Sequence, residues 1–202
     1  MRVPAASTQL PEKTPAQEST LLPLLFQHIN EEQRVTVFHA GPALRDTVDF
    51  FSNYRCRLHF VDLFSELPIV AVDDTESSLQ SQFEDMLQFP EGTLFDICLF
   101  WDLFNFLNSE AISAFIAALG PYLKTSSLAH AFSVHNINTP QPSYLYGINQ
   151  LDTLSYRGRQ ALLPGYTPHS QSELKEILSC FRFTRSVLLP DSRLELLLHA
   201  SL

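Results

Sequence analysis

Apolar positions first gather at Leu21, Leu22, Leu24, Leu25 and Ile29, a spacing that predicts a short helix capped by Ser19 or Thr20 with Pro23 in its first turn. Arg34 to Gly41 is β-branched and apolar and stops at glycine, which predicts a buried strand. Leu44, Val48 and Phe51 share one helical face. Leu58 to Asp62 predicts a second short strand that ends on a carboxylate. Ile69 to Val72 is a further strand candidate before the acidic turn Asp73-Asp74, and Leu79, Phe83, Met86 and Leu87 fit one helix face. Beyond the turn at Pro90-Glu91-Gly92, Phe95 to Trp101 is apolar except for Asp96 and is the best central-strand candidate.

The second half repeats the alternation. Ser109 is placed to cap a helix whose inner face is Ile112, Phe115, Ile116 and Leu119, with Gly120 as its left-handed stop. Leu128 to His135 predicts another strand. Residues 136–168 are polar, with Pro140, Pro142, Pro164, Tyr144, Tyr146, Tyr156 and Tyr166; they read as a long connection that serves as a lid or a docking segment. Ser170 and Glu173 have capping-box spacing ahead of Leu174, Ile177, Leu178 and Phe181. Phe183–Leu189 and Leu194–His199, joined through Pro190-Asp191-Ser192, predict an antiparallel hairpin. Strands that alternate with helices and then close on a hairpin predict an α/β fold: a mostly parallel sheet with helices on both faces and a C-terminal antiparallel hairpin. Pro4, Pro11 and Pro15 among small and polar residues predict a disordered tail over 1–18, which leaves 19–202 as one domain.

Composition narrows the function. A chain of 202 residues suits one core, and 45% hydrophobic with 17% charged residues is globular. Sixteen Phe against one Trp imply a well-filled core or an apolar partner surface. The net charge of −9 repels phosphate backbones, and arginines gather only in pairs (Arg55 with Arg57, Arg157 with Arg159, Arg182 with Arg185), so nucleic acid is a disfavoured partner. Cys56, Cys98 and Cys180 are far apart, which fits a reducing, cytoplasmic setting. The first twenty residues lack a signal pattern, and no apolar stretch approaches the roughly 20 residues that span a bilayer. Histidines and cysteines show no metal-ligand spacing, so no metal is expected. There is no G-x-S-x-G elbow or Walker loop for hydrolase or nucleotidase chemistry.

Four local patterns sit in a telling order: the glycine-terminated strand Val35 to Gly41, Asp62 ending the next strand, the approach Leu87-Gln88-Phe89-Pro90-Glu91-Gly92-Thr93-Leu94-Phe95-Asp96, and the stretch Trp101 to Leu107. With the closing helix, strand and hairpin, this order resembles the Rossmann-like (class I) S-adenosylmethionine-dependent methyltransferases over residues 34–202. The resemblance implies S-adenosylmethionine as cofactor, Gly41 as the first loop glycine, Asp62 as the ribose carboxylate and Trp101 with Asp102 lining the crevice. It implies a structural role for Asp96. Asp102 or His135 would remove a proton from a small-molecule or protein substrate.

The loop departs from the family's acidic-x-G-x-G-x-G pattern. His39-Ala40-Gly41-Pro42-Ala43-Leu44-Arg45 keeps one glycine, Pro42 removes a backbone donor, and Arg45 would bring a cation beside a sulfonium. A second reading is therefore a methyltransferase-like domain without catalysis, whose Phe-rich faces and 136–168 segment bind a partner protein. Blander roles stand beside the sharp ones. His39 and His130 can be structural or surface imidazoles, Trp101 can plug the sheet, and Asp102 can cap the next turn. Arg157, Arg159 and the tyrosines can select substrate or dock a partner.

Overall fold

The computed structural model describes residues 15–27, 29, 33–71 and 78–202. In chain order the elements are β1 (Ala16–Glu18), α1 (Leu22–Phe26), β2 (Val35–Ala40), α2 (Arg45–Phe51), β3 (Cys56–Val61), α3 (Leu79–Met86), β4 (Phe95–Trp101), α4 (Ser109–Leu119), β5 (Leu123–Val134), β6 (Tyr144–Gln150), β7 (Thr153–Gly158), α5 (Gln171–Ile177), β8 (Phe181–Leu188) and β9 (Arg193–Ala200). Short 3-10 turns occupy Leu103–Asn105 and Gly120–Tyr122.

Six strands form one sheet in the order β3-β2-β4-β5-β9-β8. The pairs from β3 to β5 are parallel, and β9 joins β5 and β8 antiparallel, which is the mostly parallel sheet with a closing hairpin that the alternation predicts. β4 lies between β2 and β5 and is covered on both faces, so its run is almost wholly apolar. Its one charge, Asp96, accepts from Thr36 N–H at 2.8 Å and pairs with Lys124, a structural role at the amino rim.

The two faces pack differently. Phe38, Cys98, Phe100, Ala129, Ala131, Leu196 and Leu198 face a core shared with residues of α3, α4 and α5. Val35, Val37, Ile97, Leu99, Trp101, Phe132 and Leu197 face α1, α2 and a second sheet. That second sheet is antiparallel, three-stranded and ordered β1-β7-β6. Residues 136–168 are thus not simply a connection. They contain a hairpin whose Tyr146, Ile148 and Leu154 are buried against the main sheet.

The structure corrects several expectations. The disordered tail does not extend to residue 18, because Ala16–Glu18 pairs with β7 and Tyr156 N–H donates to Pro15 C=O at 3.2 Å. Residues 1–14 lie outside the described residues. A hairpin edge far along the chain satisfies this backbone, a partner that local composition does not reveal. Ile69–Ala71 is not a strand; Val72 and the Asp73-Asp74 turn lie outside the described residues. Asn108 rather than Ser109 caps α4, its Oδ1 accepting from Ala111 N–H at 2.8 Å. Gly120 has φ −45°, right-handed, and leads into a 3-10 turn. α2 buries Thr47, Phe50 and Phe51 and leaves Val48 43% exposed, because the hairpin lies on it and Ile148 N–H donates to Thr47 Oγ1 at 3.2 Å. The cap of α5 follows the sequence: Ser170 Oγ accepts from Glu173 N–H at 3.2 Å. At α1 the N-cap is Leu21 rather than Ser19 or Thr20, and Ser19 Oγ accepts from Leu22 N–H at 2.9 Å from just outside the helix.

Gly147 sets how closely β6 approaches α2. A Cβ there would lie 2.7 Å from Ser155 Oγ and 3.4 Å from Asp46 Cβ. Gly147→Ala should lower stability by about 1–3 kcal/mol through overpacking. Measured by denaturant unfolding, Gly147→Ala with Ser155→Ala should cost less than the two single changes summed, because the second removes the obstructing atom.

Candidate functional site

The carboxyl ends of β2, β3 and β4 share one rim. Gly41 N–H donates to Val61 C=O at 2.8 Å, so the glycine ending β2 and Asp62 following β3 are neighbours. Gly41 has φ +147°, where an L side chain is strained. A Cβ there would meet the His39 ring at 3.5 Å and Phe64 at 3.7 Å, ordinary contacts, so the constraint on this position is the backbone. Asp62 is half-buried, and its buried Oδ1 has no hydrogen-bond partner among the described residues.

His39 stands where the family pattern has an acid. It is 1% exposed, and burial lowers its pKa to about 4, which keeps the ring neutral. Nε2 accepts from Trp101 Nε1–H at 3.0 Å, so the ring proton is on Nδ1, which faces Gly41 C=O at 3.3 Å. The imidazole therefore ties the glycine turn to the end of β4. Trp101 has φ 54°, an uncommon conformation for a bulky residue. Its ring stacks on Tyr146, centroids 5.5 Å apart and 12° between planes. The indole is 1% exposed and lies between the two sheets.

Asp102 follows directly. It is buried, and desolvation raises its carboxyl pKa to about 7, against the opposing charges of Arg159 and Arg193 and a backbone hydrogen bond from Tyr144. Its Oδ1 has no partner among the described residues, and neither has Asn105 Oδ1 nearby. Arg159, at the end of the hairpin, places its guanidinium 4.3 Å from the centre of the Phe64 ring and donates from Nε to Tyr144 C=O at 3.2 Å. The charges of Asp102 and Asp62 both act on it. Arg193 is fully engaged: it pairs with Asp191, donates to Tyr146 OH at 2.9 Å, bonds Gln17 and lies over the Phe132 ring.

Gly41, Asp62 and Asp102 thus meet at one rim, with Trp101 just beneath. His135 does not join them. It is exposed beyond the end of β5, and its N–H donates to Ser192 C=O at 3.1 Å. Trp101 is in register with Ala131, so His135 is roughly 10 Å farther along the strand than Asp102. Arg45 does not enter the crevice either; it is 88% exposed and pairs with Asp49 at 3.1 Å. His130 is wholly buried against Glu195 at 2.8 Å, and Ser19 Oγ also donates to Glu195, a structural network beneath the second sheet. The sequence marks Asn105 only as part of the stretch Trp101 to Leu107, and Arg159 only with Arg157 as able to select substrate or dock a partner. Among the described residues no group of three or more His, Cys, Asp or Glu gathers to hold a metal, and no helix is long and apolar enough to cross a membrane.

No protein-family model matches the sequence, and a search of curated proteins finds no match. Solved structures do match. The PH0226 protein from Pyrococcus horikoshii OT3 is 11% identical, covers 90% of this chain and 88% of its own, and gives a TM-score of 0.51. The N-methyltransferase NodS from Bradyrhizobium japonicum WM9 is 12% identical over 91% of this chain and 94% of its own, with a TM-score of 0.50. DesVI from Streptomyces venezuelae is 10% identical over 90% and 89%, also with a TM-score of 0.50. The chain has the fold of the class I S-adenosylmethionine-dependent methyltransferases.

Two buried groups give opposite pH dependences. The His39 pKa falls from 6.5 unfolded to about 4 folded, so the unfolded chain binds more protons in that window and stability drops as pH falls through it, by about 3 kcal/mol in all. The Asp102 pKa rises from 3.8 to about 7, so the folded chain binds more protons and stability drops as pH rises through that window, by about 4 kcal/mol in all. Asp102→Asn should therefore gain on the wild type as pH rises from about 4 to 7 in denaturant titrations. Trp101 is the single tryptophan. Its native fluorescence should titrate near pH 4, and His39→Gln should abolish that transition.

Proposed function

We propose that the crevice at the carboxyl rim binds S-adenosylmethionine and directs its methyl group to a protic acceptor on a small molecule or protein. One observation carries this reading: a buried carboxylate oxygen, Asp62 Oδ1, without a partner among the described residues, beside a positive-φ glycine at the end of the adjacent parallel strand. A buried acceptor left unpaired costs about 1–3 kcal/mol, and ribose hydroxyls would relieve it. The residues present fit the ribose end of the cofactor in this respect. When bound, the cofactor supplies an electrophilic methyl on a sulfonium.

Gly41 lets the backbone come close to the ligand, and His39 with Trp101 holds that turn in place, so Trp101 acts through His39. Asp102, with its pKa near 7 and Oδ1 unpaired among the described residues, accepts the acceptor's proton at neutral pH. His135 lies outside that geometry. Alignment of acceptor and methyl supplies most of the rate. NodS, an N-methyltransferase by name, shares the fold and is consistent with this chemistry.

A second reading, a non-catalytic interaction domain, is favoured by Arg159, a cation on which the charges of both Asp62 and Asp102 act, and by the single-glycine turn stiffened at Pro42. Calorimetric titration separates the two. S-adenosylmethionine and S-adenosylhomocysteine should bind the wild-type chain, and Asp62→Ala should weaken both by about tenfold or more. No binding at millimolar ligand would sink the enzyme reading in favour of the interaction domain.

A further inference from the structure

Asn105 lies one turn beyond Asp102, Arg159 bonds the Tyr144 backbone beside it, and neither has a part in the chemistry above. Asn105 ends the 3-10 turn after β4. Its N–H donates to Asp102 C=O at 3.0 Å, and its own C=O accepts from Thr167 N–H at 2.8 Å. These bonds fix the residue, yet its side chain, on a residue 4% exposed, leaves Oδ1 unpaired among the described residues. Asp102, also 4% exposed, leaves Oδ1 unpaired in the same way. Two buried acceptors within one turn call for a ligand that carries hydrogen-bond donors.

Arg159 is tied to the Asp102 region through Tyr144, whose backbone also bonds Asp102. Phe64 holds one flat face of the guanidinium and Tyr144 C=O holds Nε. No carboxylate among the described residues pairs with it directly. Two carboxylates, Asp102 and Asp62, act on it from a distance. A guanidinium held by one face and one nitrogen presents the fork that receives a carboxylate.

We propose that the methyl acceptor is a small acid whose carboxylate is taken by Arg159 and whose hydroxyl or amine donates to Asp102 Oδ1 and Asn105 Oδ1. This rests on the methyl-transfer reading of the same crevice. As the acceptor oxygen or nitrogen bonds the methyl carbon, the sulfonium C–S bond breaks and the acceptor proton passes to Asp102, so atoms and charge balance. The other source of a carboxylate is the amino-acid end of the cofactor itself, which the test separates.

The test is calorimetry on the full chain without any adenosyl ligand. The probes are 4-hydroxybenzoate, 2-hydroxybenzoate and 2-aminobenzoate, each beside its amide. At least one acid should bind about tenfold tighter than its amide. Arg159→Gln should bring that ratio near one, and Arg159→Lys should keep part of it. The wild-type ratio decides the matter even where a variant fails to fold. In parallel, S-adenosylhomocysteine and 5′-methylthioadenosine, which lacks the amino-acid end, are compared on wild type and Arg159→Gln. Acids that bind no better than amides, or none that bind, overturn the proposal. So does an Arg159→Gln effect confined to S-adenosylhomocysteine. Acid binding without adenosyl binding would leave the acid site standing and remove the methyl-transfer reading beneath it.

Discussion

The hydrogen bond from the Trp101 indole to the neutral imidazole of His39 joins the parts of this structure that matter for function. Trp101 ends β4 in a left-handed backbone conformation, and Asp102 enters the rim from that point. His39 passes the constraint on to Gly41 C=O. On the far side, Trp101 stacks on Tyr146 and so connects the main sheet to the second one. A charged imidazole has no lone pair for the indole N–H, so burial, by keeping His39 neutral, is a condition of the arrangement.

The second sheet gives the fold its particular character. It covers the sheet face that α1 and α2 leave open and orders a segment near the amino end through β1. Polar contacts tie this layer to the rest of the domain at several points: Arg193 of β9 to Tyr146 and Gln17, Ser19 just beyond β1 to Glu195 of β9, and Ser155 of β7 to Asp46 of α2. Buried polar contacts of this kind specify one docking of the two layers, since any slip would leave them unpaired. The same hairpin delivers Arg159 to the crevice, so the layer that stabilises the domain also sets the charge of its rim.

That rim holds an unusual balance. Asp62 and Asp102 each keep a buried oxygen without a partner, and Arg159 influences both without a direct ion pair to either among the described residues. Desolvation dominates at Asp102 even against two arginines, which brings its pKa close to neutrality. A carboxyl in that state exchanges a proton at little cost, and perturbed groups of this kind concentrate in functional clefts.

Amino-acid order alone determined the main sheet, because buried parallel strands need continuous apolar runs such as Phe95–Trp101, and helices facing them need the 3.6-residue spacing seen at Ile112, Phe115, Ile116 and Leu119. It also placed Gly41 and Asp62 on neighbouring strand ends and marked the closing hairpin. The second sheet was not legible. β1 is three residues long, and β6 and β7 have a mixed polar pattern that reads as loop until a distant surface buries one side of it. Nor could order alone give His39 its neutral state, take Arg45 out to solvent, leave His135 stranded beyond the rim or set Arg159 near Asp102. Each of these depends on which surfaces lose water when remote segments meet, and desolvation and long-range charge are properties of the packed molecule rather than of local spacing.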